Sequence, residues 1–553
     1  MVALKDAFLE KKLRTWSNPW KLATVALLIA FLSPVVAIVV TANGDSAGLW
    51  SHLAETVLPR YVLNTITLMM SVGALSLIFG VTSAWIIFRF DFIGRRHIQW
   101  ILLLPAAIPG YLIAYTYTDF LEYAGPVQVL LRDLMGWQSA RDYWFPEIRS
   151  MSGAALVLGA VLYPYVYVMA RTAFLLTPAS LFEVSQMMGR GHFWRVGLPL
   201  ARPAIVAGLA LVLMETVSDF GTVEYFAIET LTLGIFNVWL GMNNLTAAAQ
   251  IATFSFLFII ILLAVEVLAR ARRRFVDTTR RSVSLASQPV KGWRSGGCAV
   301  LCLFPVLIGF IVPVAVLLNF VLNGYSVAVD AKVFDAALNS LTIGLVVAVL
   351  VIASSAFMAL VATFESGVLM RRLTALASFG YAFPGTILAI GVVTAGGAVD
   401  QTVAQLFQWM FGLTYDGWLT SGVALIVFAC VVRFQAVGYG AVTTGIGRVS
   451  PNIMEASRTL GCGFGDSVRK VMLPMIRLSC IAGGLLVFVD VMKELPMSLL
   501  LRPFNFETLA TYVYQFAKDE LLEEAALPAL MIVLCGIIPV VLMNAALNKL
   551  RDR

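Results

Sequence analysis

The chain has 553 residues, 60% of them hydrophobic and 13% charged, with a mean hydropathy of +0.87. That much apolar surface cannot be hidden in a soluble core, so the composition specifies an integral membrane protein. The formal charge of +7 does not point to nucleic acid, because Lys and Arg crowd the ends of apolar runs, where orientation in a membrane accounts for them.

A helix needs about 20 mostly apolar residues to cross a bilayer. Twelve stretches qualify, near residues 22–41, 62–88, 98–120, 152–174, 204–227 and 248–269, then 298–321, 338–363, 373–395, 420–440, 477–500 and 526–548. The first follows Lys5, Lys11, Lys12, Arg14 and Lys21 with no convincing small-residue cleavage site, which reads as a retained helix. The fifth and eleventh carry acids. The six cysteines lie mostly in apolar runs without metal or disulfide spacing and read as small buried hydrophobes. With the N-terminus in the cytoplasm, cytoplasmic segments hold 31 of the 39 Lys and Arg residues, six of these at 433–477. The positive-inside rule therefore puts both termini in the cytoplasm.

The chain is also two copies of one unit. Asn64-Thr65 matches Asn339-Ser340, Arg96 matches Arg371, Pro109-Gly110 matches Pro384-Gly385 and Pro199 matches Pro474, always at the same offset in the numbering. Six spans per copy make the copies parallel, related by an axis along the membrane normal. The expected organisation is a first half at 1–269, a basic, Ser-rich cytoplasmic linker at 270–297 and a second half at 298–553.

Each half carries one polar island on the cytoplasmic side, in segments 178–200 and 450–474. The first reads EVSQMMGRGHFWRVGLPLARPA from Glu183; the second reads EASRTLGCGFGDSVRKVMLPMIRLS from Glu455. A lone amphipathic segment would be an ordinary surface helix. Two in parallel positions, each with a Glu, a Gly six residues on and a closing Leu-Pro, suggest docking elements. The Gly permits a turn between short helices, and the Pro opens the next span where a missing N–H costs nothing.

This pattern resembles the coupling motif of permeases in binding-protein-dependent ABC importers: EAA, three residues, G, nine residues, I, one residue, LP. The second copy keeps that spacing through Glu455-Ala456-Ser457, Gly461, Val471 and Leu473-Pro474. The first, with Glu183, Gly189, Leu198 and Pro199, is three residues short between Gly189 and Val196, which implies a shortened or differently pitched helix. The resemblance implies an all-α type I importer permease in a bacterial inner membrane, with both segments seated on two copies of a cytosolic ATPase and a periplasmic binding protein delivering cargo. ATP and Mg would reside on the ATPase; the chain has no G-x-x-x-x-G-K-[ST] loop of its own and no expected cofactor. The stretches Val217–Trp239 and Val489–Glu520 look like the corresponding regions of fused two-half ferric-iron permeases, with thiamine permeases of the same architecture as an alternative.

In or just before those stretches lie acids inside apolar segments: Glu215 and Asp219 in the first half, Asp490 and Glu494 in the second, each pair four apart and expected on one helix face. Two roles compete. They line the pathway and offer hard oxygen to a cation, with Tyr225 nearby, or they form salt bridges that seal a gate. Lys493 is expected to pair with an acid on another helix or the opposite half. His52, His97 and His192 read as surface residues, and Tyr111, Tyr115 and Tyr117 as interfacial anchors or pathway residues. The loop from Asp119 to Ser150 is placed to meet a binding protein. A proton-coupled secondary transporter would share the topology but leave the two polar islands unexplained.

Overall fold

The computed structural model describes residues 19–187, 192–271, 287–323, 331–364, 368–377, 380, 383–412 and 417–551. In the first repeat the principal helices are α1 (Pro19–Ala42), α2 (Leu58–Arg89), α3 (Gly110–Leu121), α4 (Met151–Leu176), α5 (Ala179–Met187), α6 (Phe193–Ser218), α7 (Gly221–Tyr225) and α8 (Leu245–Ala271). In the second they are α9 (Trp293–Asn323), α10 (Ala331–Phe364), α11 (Gly385–Phe411), α12 (Ala424–Gly447), α13 (Pro451–Thr459), α14 (Phe464–Met492), α15 (Pro496–Leu501), α16 (Leu509–Lys518) and α17 (Leu522–Arg551). The protein is an all-α integral membrane protein.

Ten helices among the described residues are long and apolar enough to cross a membrane. An eleventh span results if the broken pair Arg95–Ala107 and Gly110–Met135, bent by 92°, is counted as one. The sixth expected span corresponds to α8, a helix of 27 residues. Span limits differ from expectation where proline intervenes. The third breaks at Pro109, whose backbone is extended (φ −61°, ψ 143°), and the ninth starts at Gly385 because Pro384 takes the same conformation (φ −51°, ψ 141°). The fifth and eleventh begin earlier, at Phe193 and Phe464, and stop at Ser218 and Met492.

The chain divides into two compact units that do not follow the sequence halves. One comprises residues 1–44 and 338–506, the other residues 45–337 and 507–553. In the smaller unit α1 lies on α11, where Gly391 comes up against the carbonyl oxygen of Pro34 and a Cβ there would also meet the Ile38 side chain at 3.0 Å. In the larger unit Gly309 of α9 approaches the carbonyl of Ala160, and Gly536 of α17 that of Ala107. Each repeat thus surrenders its leading helix to the spans of the other, and α17 joins the first repeat.

Lipid tails are as apolar as leucine, so helices inside a bilayer associate through close packing, which small residues allow. In the larger unit α2, α4 and α6 meet at Gly80, Gly159 and Gly208; a Cβ on Gly80 or on Gly159 would lie 2.8 Å from Val166 Cβ or Leu75 Cβ. In the smaller unit α12 and α14 cross at Gly445 and Gly483, where a Cβ would fall 2.7 Å from Ser479 Cβ and 2.6 Å from Ala441 Cβ.

Of the linker, residues 272–286 lie outside the described residues. Its end is docked: Phe90–Asp91 pairs in parallel with Gln288–Pro289, Val290 N donates to Asp91 O at 2.9 Å, and Arg95 Nη1 donates to Ser287 Oγ at 3.0 Å. The loop after α2 therefore anchors the start of the second repeat.

Gly391→Val should lower stability in detergent by ~1–3 kcal/mol through overpacking against Pro34, read as a lowered thermal midpoint. Gly397→Val, on the same helix with nothing within 4 Å of a Cβ, should leave the midpoint nearly unchanged; equal effects would refute the packing account.

Candidate functional site

The second polar island is a helix, a turn and a helix. Glu455 and Ala456 are exposed on α13. The helix is closed by Gly461 in the left-handed region (φ 81°), with Leu460 N donating to Ala456 O at 3.0 Å and Cys462 N to Ser457 O at 3.1 Å. Buried Ser457 and Ser467 share a 2.7 Å hydroxyl contact that ties α13 to the start of α14. Phe464 inserts between Trp20 and Phe364, at ring separations of 5.0 and 5.3 Å, and fixes the island to its unit. Leu473 and Pro474 remain exposed.

In the first island Glu183 is exposed on α5, Leu198 and Pro199 are half-buried at the start of the span, and Gly189 lies outside the described residues. The anchor is again aromatic: Phe182 and Phe193 pack on Trp85 at 6.3 and 5.0 Å. Both islands pass into their spans through a widened π-helical turn, Phe193–Gly197 and Val468–Met472, at equivalent positions of the two repeats. Leu198 N reaches back five residues to Phe193 O, and Leu473 N to Val468 O. A wide turn makes room for the proline ring that follows, which would crowd the preceding carbonyls of a regular helix.

The four acids do not share helix faces as expected, because both helices stop short. After Ser218 the backbone of Asp219 is extended (φ −65°, ψ 129°), and its carboxylate accepts from Thr222 N at 3.1 Å, Thr222 Oγ1 at 3.1 Å and Val223 N at 3.2 Å, capping α7. After Met492, Glu494 Oε1 accepts from Met497 N at 3.3 Å and opens α15 in the same way. Asp219 and Glu494 are repeat equivalents, and so are their donors Thr222 and Met497. Glu215 stays on α6 within electrostatic reach of Asp219. Lys493 pairs with Asp490, three residues before it, at 2.9 Å. It leaves the helical path (φ −98°, ψ 1°), which lets its side chain fold back over the last turn. Glu494 also meets Arg433 Nη1 at 3.3 Å, with the Arg433 side chain 8% and the Glu494 side chain 6% exposed. The Pro-Gly steps rest on these acids: Gly385 abuts Arg433 and Glu494, while a Cβ on Gly110 would meet Thr222 Oγ1 at 2.9 Å and Asp219 Oδ1 at 3.5 Å.

Comparison with known proteins gives this duplicated geometry a family. The profile of the binding-protein-dependent transport system inner membrane component matches twice, at residues 76–276 and 352–553. The chain belongs to this family. It is 24% identical over 499 residues to the Fe(3+)-transport system permease protein FbpB 2 of Haemophilus influenzae, covering 87% of this chain and 88% of that one. It is 26% identical over 212 residues to the sulfate transport system permease protein CysW of Escherichia coli (37% and 70% covered). The molybdenum transport system permease protein ModB of the same species is 25% identical over 154 residues (27% and 64%). The protein is thus a multi-pass ABC permease subunit, a transport component and not an enzyme.

Several of the permease's polar residues escape a reading of its sequence. Arg433, grouped above with the cytoplasmic basic residues, is buried inside α12; its counterpart in the first repeat is Leu158, and that departure from the repeat was the available signal. Tyr111, Tyr115 and Tyr117 are buried, not interfacial, and Tyr117 donates to Ile308 O at 2.9 Å. Glu224 accepts from the Tyr514 hydroxyl at 2.9 Å, with Lys518 Nζ 3.7 Å away. His52 and His97 are exposed, and His192 is half-buried near Phe182. Among the described residues no three His, Cys, Asp or Glu side chains gather as a metal-holding set.

The loop from Asp119 to Ser150 carries a helix, Pro126–Met135, and a stacked pair, Trp137 on Tyr143, at 4.8 Å and 10°. Asp142 accepts from Gln138 N and Ser139 N at 2.8 Å each. A groove of about 570 Å³ opens beside Glu122, Tyr143, Trp144 and Arg149, and Arg149 bonds Glu122 at 2.6 Å.

Removing one partner of a buried ion pair strands the other charge, at a cost of ~3–5 kcal/mol. Arg433→Met or Glu494→Gln alone should therefore depress unfolding midpoints and transport strongly, and the double variant should recover much of the stability. Additive losses in a double-mutant cycle would show that the pair is not coupled.

Proposed function

We propose that this permease forms the transmembrane pathway of an ATP-driven importer of ferric iron. The observation that carries the cargo is the relationship to the Fe(3+)-transport permease across 87% of the chain, in a fused two-repeat arrangement. The sulfate and molybdenum relatives match only 37% and 27% of it. Both termini and both polar islands face the cytoplasm of the bacterial inner membrane, following the distribution of Lys and Arg. The islands at Glu183, Gly189, Leu198 and Pro199, and at Glu455, Ala456, Gly461, Leu473 and Pro474, seat two copies of an ATPase subunit, which holds ATP and Mg. A periplasmic binding protein delivers the cargo on the opposite side, where the loop from Asp119 to Ser150 receives it.

In this reading closure of the two ATPases draws the islands together and opens the pathway to the binding protein, and hydrolysis resets it. The aromatic anchors at Phe182 and Phe464 make each island a stiff lever, and the serine contact between Ser457 and Ser467 stiffens the second further. Glu215, Asp219, Asp490, Lys493 and Glu494 act at the gate: caps and ion pairs at a helix break hold one backbone arrangement until the lever moves. A site that bound a trivalent ion with all four acids would not release it.

The test is reconstitution of the chain with its ATPase and binding protein in proteoliposomes. ATP-dependent uptake of radioactive iron, delivered as the ligand the binding protein retains, is the expected result. Accumulation of thiamine or an oxyanion in its place would overturn the cargo. Uptake that survives ATP depletion and collapses with the proton gradient would overturn the importer class.

Gly461→Val forces a branched residue into the left-handed region, at ~1–2 kcal/mol of strain. ATP-coupled uptake should fall by about tenfold or more, and more than for Gly189→Val, because the second island keeps the full family spacing. Equal or reversed sensitivity would refute the inequality of the two levers.

A further inference from the structure

Three elements of the larger unit bring oxygen atoms to one place: α3 with Tyr111 and Tyr115, α7 with Glu224 and Tyr225, and α16 with Tyr514 and Lys518. The Tyr514 hydroxyl donates to Glu224 Oε1 at 2.9 Å, and Lys518 Nζ lies 3.7 Å from the same oxygen. The rings of Tyr111 and Tyr115 are 5.7 Å apart, and those of Tyr115 and Tyr225 4.4 Å. The phenolic oxygen of Tyr115 interacts electrostatically with Glu224 and with the hydroxyls of Tyr225 and Tyr514.

Tyr115 is the unusual member. It is 1% exposed, and its hydroxyl finds no hydrogen-bond partner among the described residues. A buried hydroxyl without a partner costs ~1–3 kcal/mol, and phenylalanine would fill the same space without that cost. The second repeat shows that packing does not require oxygen here, since its equivalents of Tyr115 and Glu224 are Ile390 and Leu499. The donors come from both repeats, Tyr115 and Glu224 from the first and Tyr514 from the second, and meet within the larger unit.

We propose that Tyr115, Glu224 and Tyr514 form a transient binding site for a hard multivalent cation, with Lys518 as its built-in competitor. The identity of the cargo, though not the site, rests on the ferric reading above. Carboxylate and phenolate oxygens are the donors that hard cations prefer. When the two phenol oxygens bind the ion they release their protons to water, and with the Glu224 carboxylate they present three negative charges to a trivalent ion. Lys518, whose side chain is 60% exposed, neutralises Glu224 when the site is empty and swings into solvent when the cation arrives. Three protein donors and a tethered rival make a site that binds and lets go, as a conduction pathway requires.

The full chain in lipid nanodiscs, titrated with Tb³⁺ as a hard trivalent probe whose emission is sensitised by nearby tyrosine, tests this. Sensitised emission is expected, with Tyr115→Phe and Glu224→Gln each weakening Tb³⁺ binding about tenfold or more, the thermal midpoint of Tyr115→Phe being no lower than that of the unsubstituted chain, and Lys518→Ala strengthening binding several-fold. Should Glu224→Gln disturb folding, Tyr514→Phe replaces it with the same expectation. Absence of sensitised emission, or binding untouched in Tyr115→Phe and in the folded Glu224 or Tyr514 variant, overturns the proposal. The two readings separate cleanly. If the binding protein carries another solute while Tb³⁺ binding shifts as stated, the ferric cargo falls and the cation site stands. If ferric uptake proceeds while Tb³⁺ binding ignores these substitutions, the site falls and the cargo stands.

Discussion

A helix that stops inside a bilayer leaves backbone groups that lipid cannot satisfy, and the rest of this permease is arranged around meeting that constraint twice. Both spans that rise from the polar islands end early, at Ser218 and Met492, and both are followed by a short helix whose first N–H groups point at a carboxylate. Asp219 and Glu494 are first of all caps, which explains why acids stand in apolar segments at the same place in each repeat. The Pro-Gly steps at Pro109-Gly110 and Pro384-Gly385 bring a second helix start to each break, with glycine leaving room for the acid. A break held by side chains can be re-formed in another geometry, whereas a continuous helix has no such alternative.

The two breaks are chemically unequal. In the second repeat the acid is neutralised by Arg433, buried on α12; in the first the equivalent position is Leu158, and Asp219 relies on hydroxyl and backbone donors. The first repeat carries further polar groups at Tyr115 and Glu224, and Glu224 meets Tyr514 of the second. Duplication supplied two equal frames, and side-chain substitution divided the work between them.

Much of this was legible in the sequence. The constant offset between the repeats located both copies, the Leu-Pro that closes each polar island, both Pro-Gly steps and the four acids, because a repeated backbone demands repeated glycine, proline and caps. What could not be read was partnership. Spacing by four put Glu215 with Asp219, and Asp490 with Glu494, on common helix faces. That inference assumes an unbroken helix, and a break of two or three residues has no hydrophobicity signal. Arg433 sat within an apolar run that still read as a span, and only its mismatch with Leu158 marked it. The exchange of leading helices left no trace in hydropathy, since α1 is uniformly apolar whichever neighbours it meets.

That uniformity bears on how the chain is made. The site on α11 that receives α1, at Gly391, is synthesised well over half a chain length after Pro34. Until then the first span must persist in the bilayer without its final neighbour. A helix with a polar stripe reserved for its partner would face lipid with that stripe exposed throughout this interval. An apolar α1, with no acid or base between Lys21 and Ala42, can wait in lipid with no charge exposed, and the middle of the helix then docks by close packing: the small residue on α11 and the proline carbonyl it accommodates.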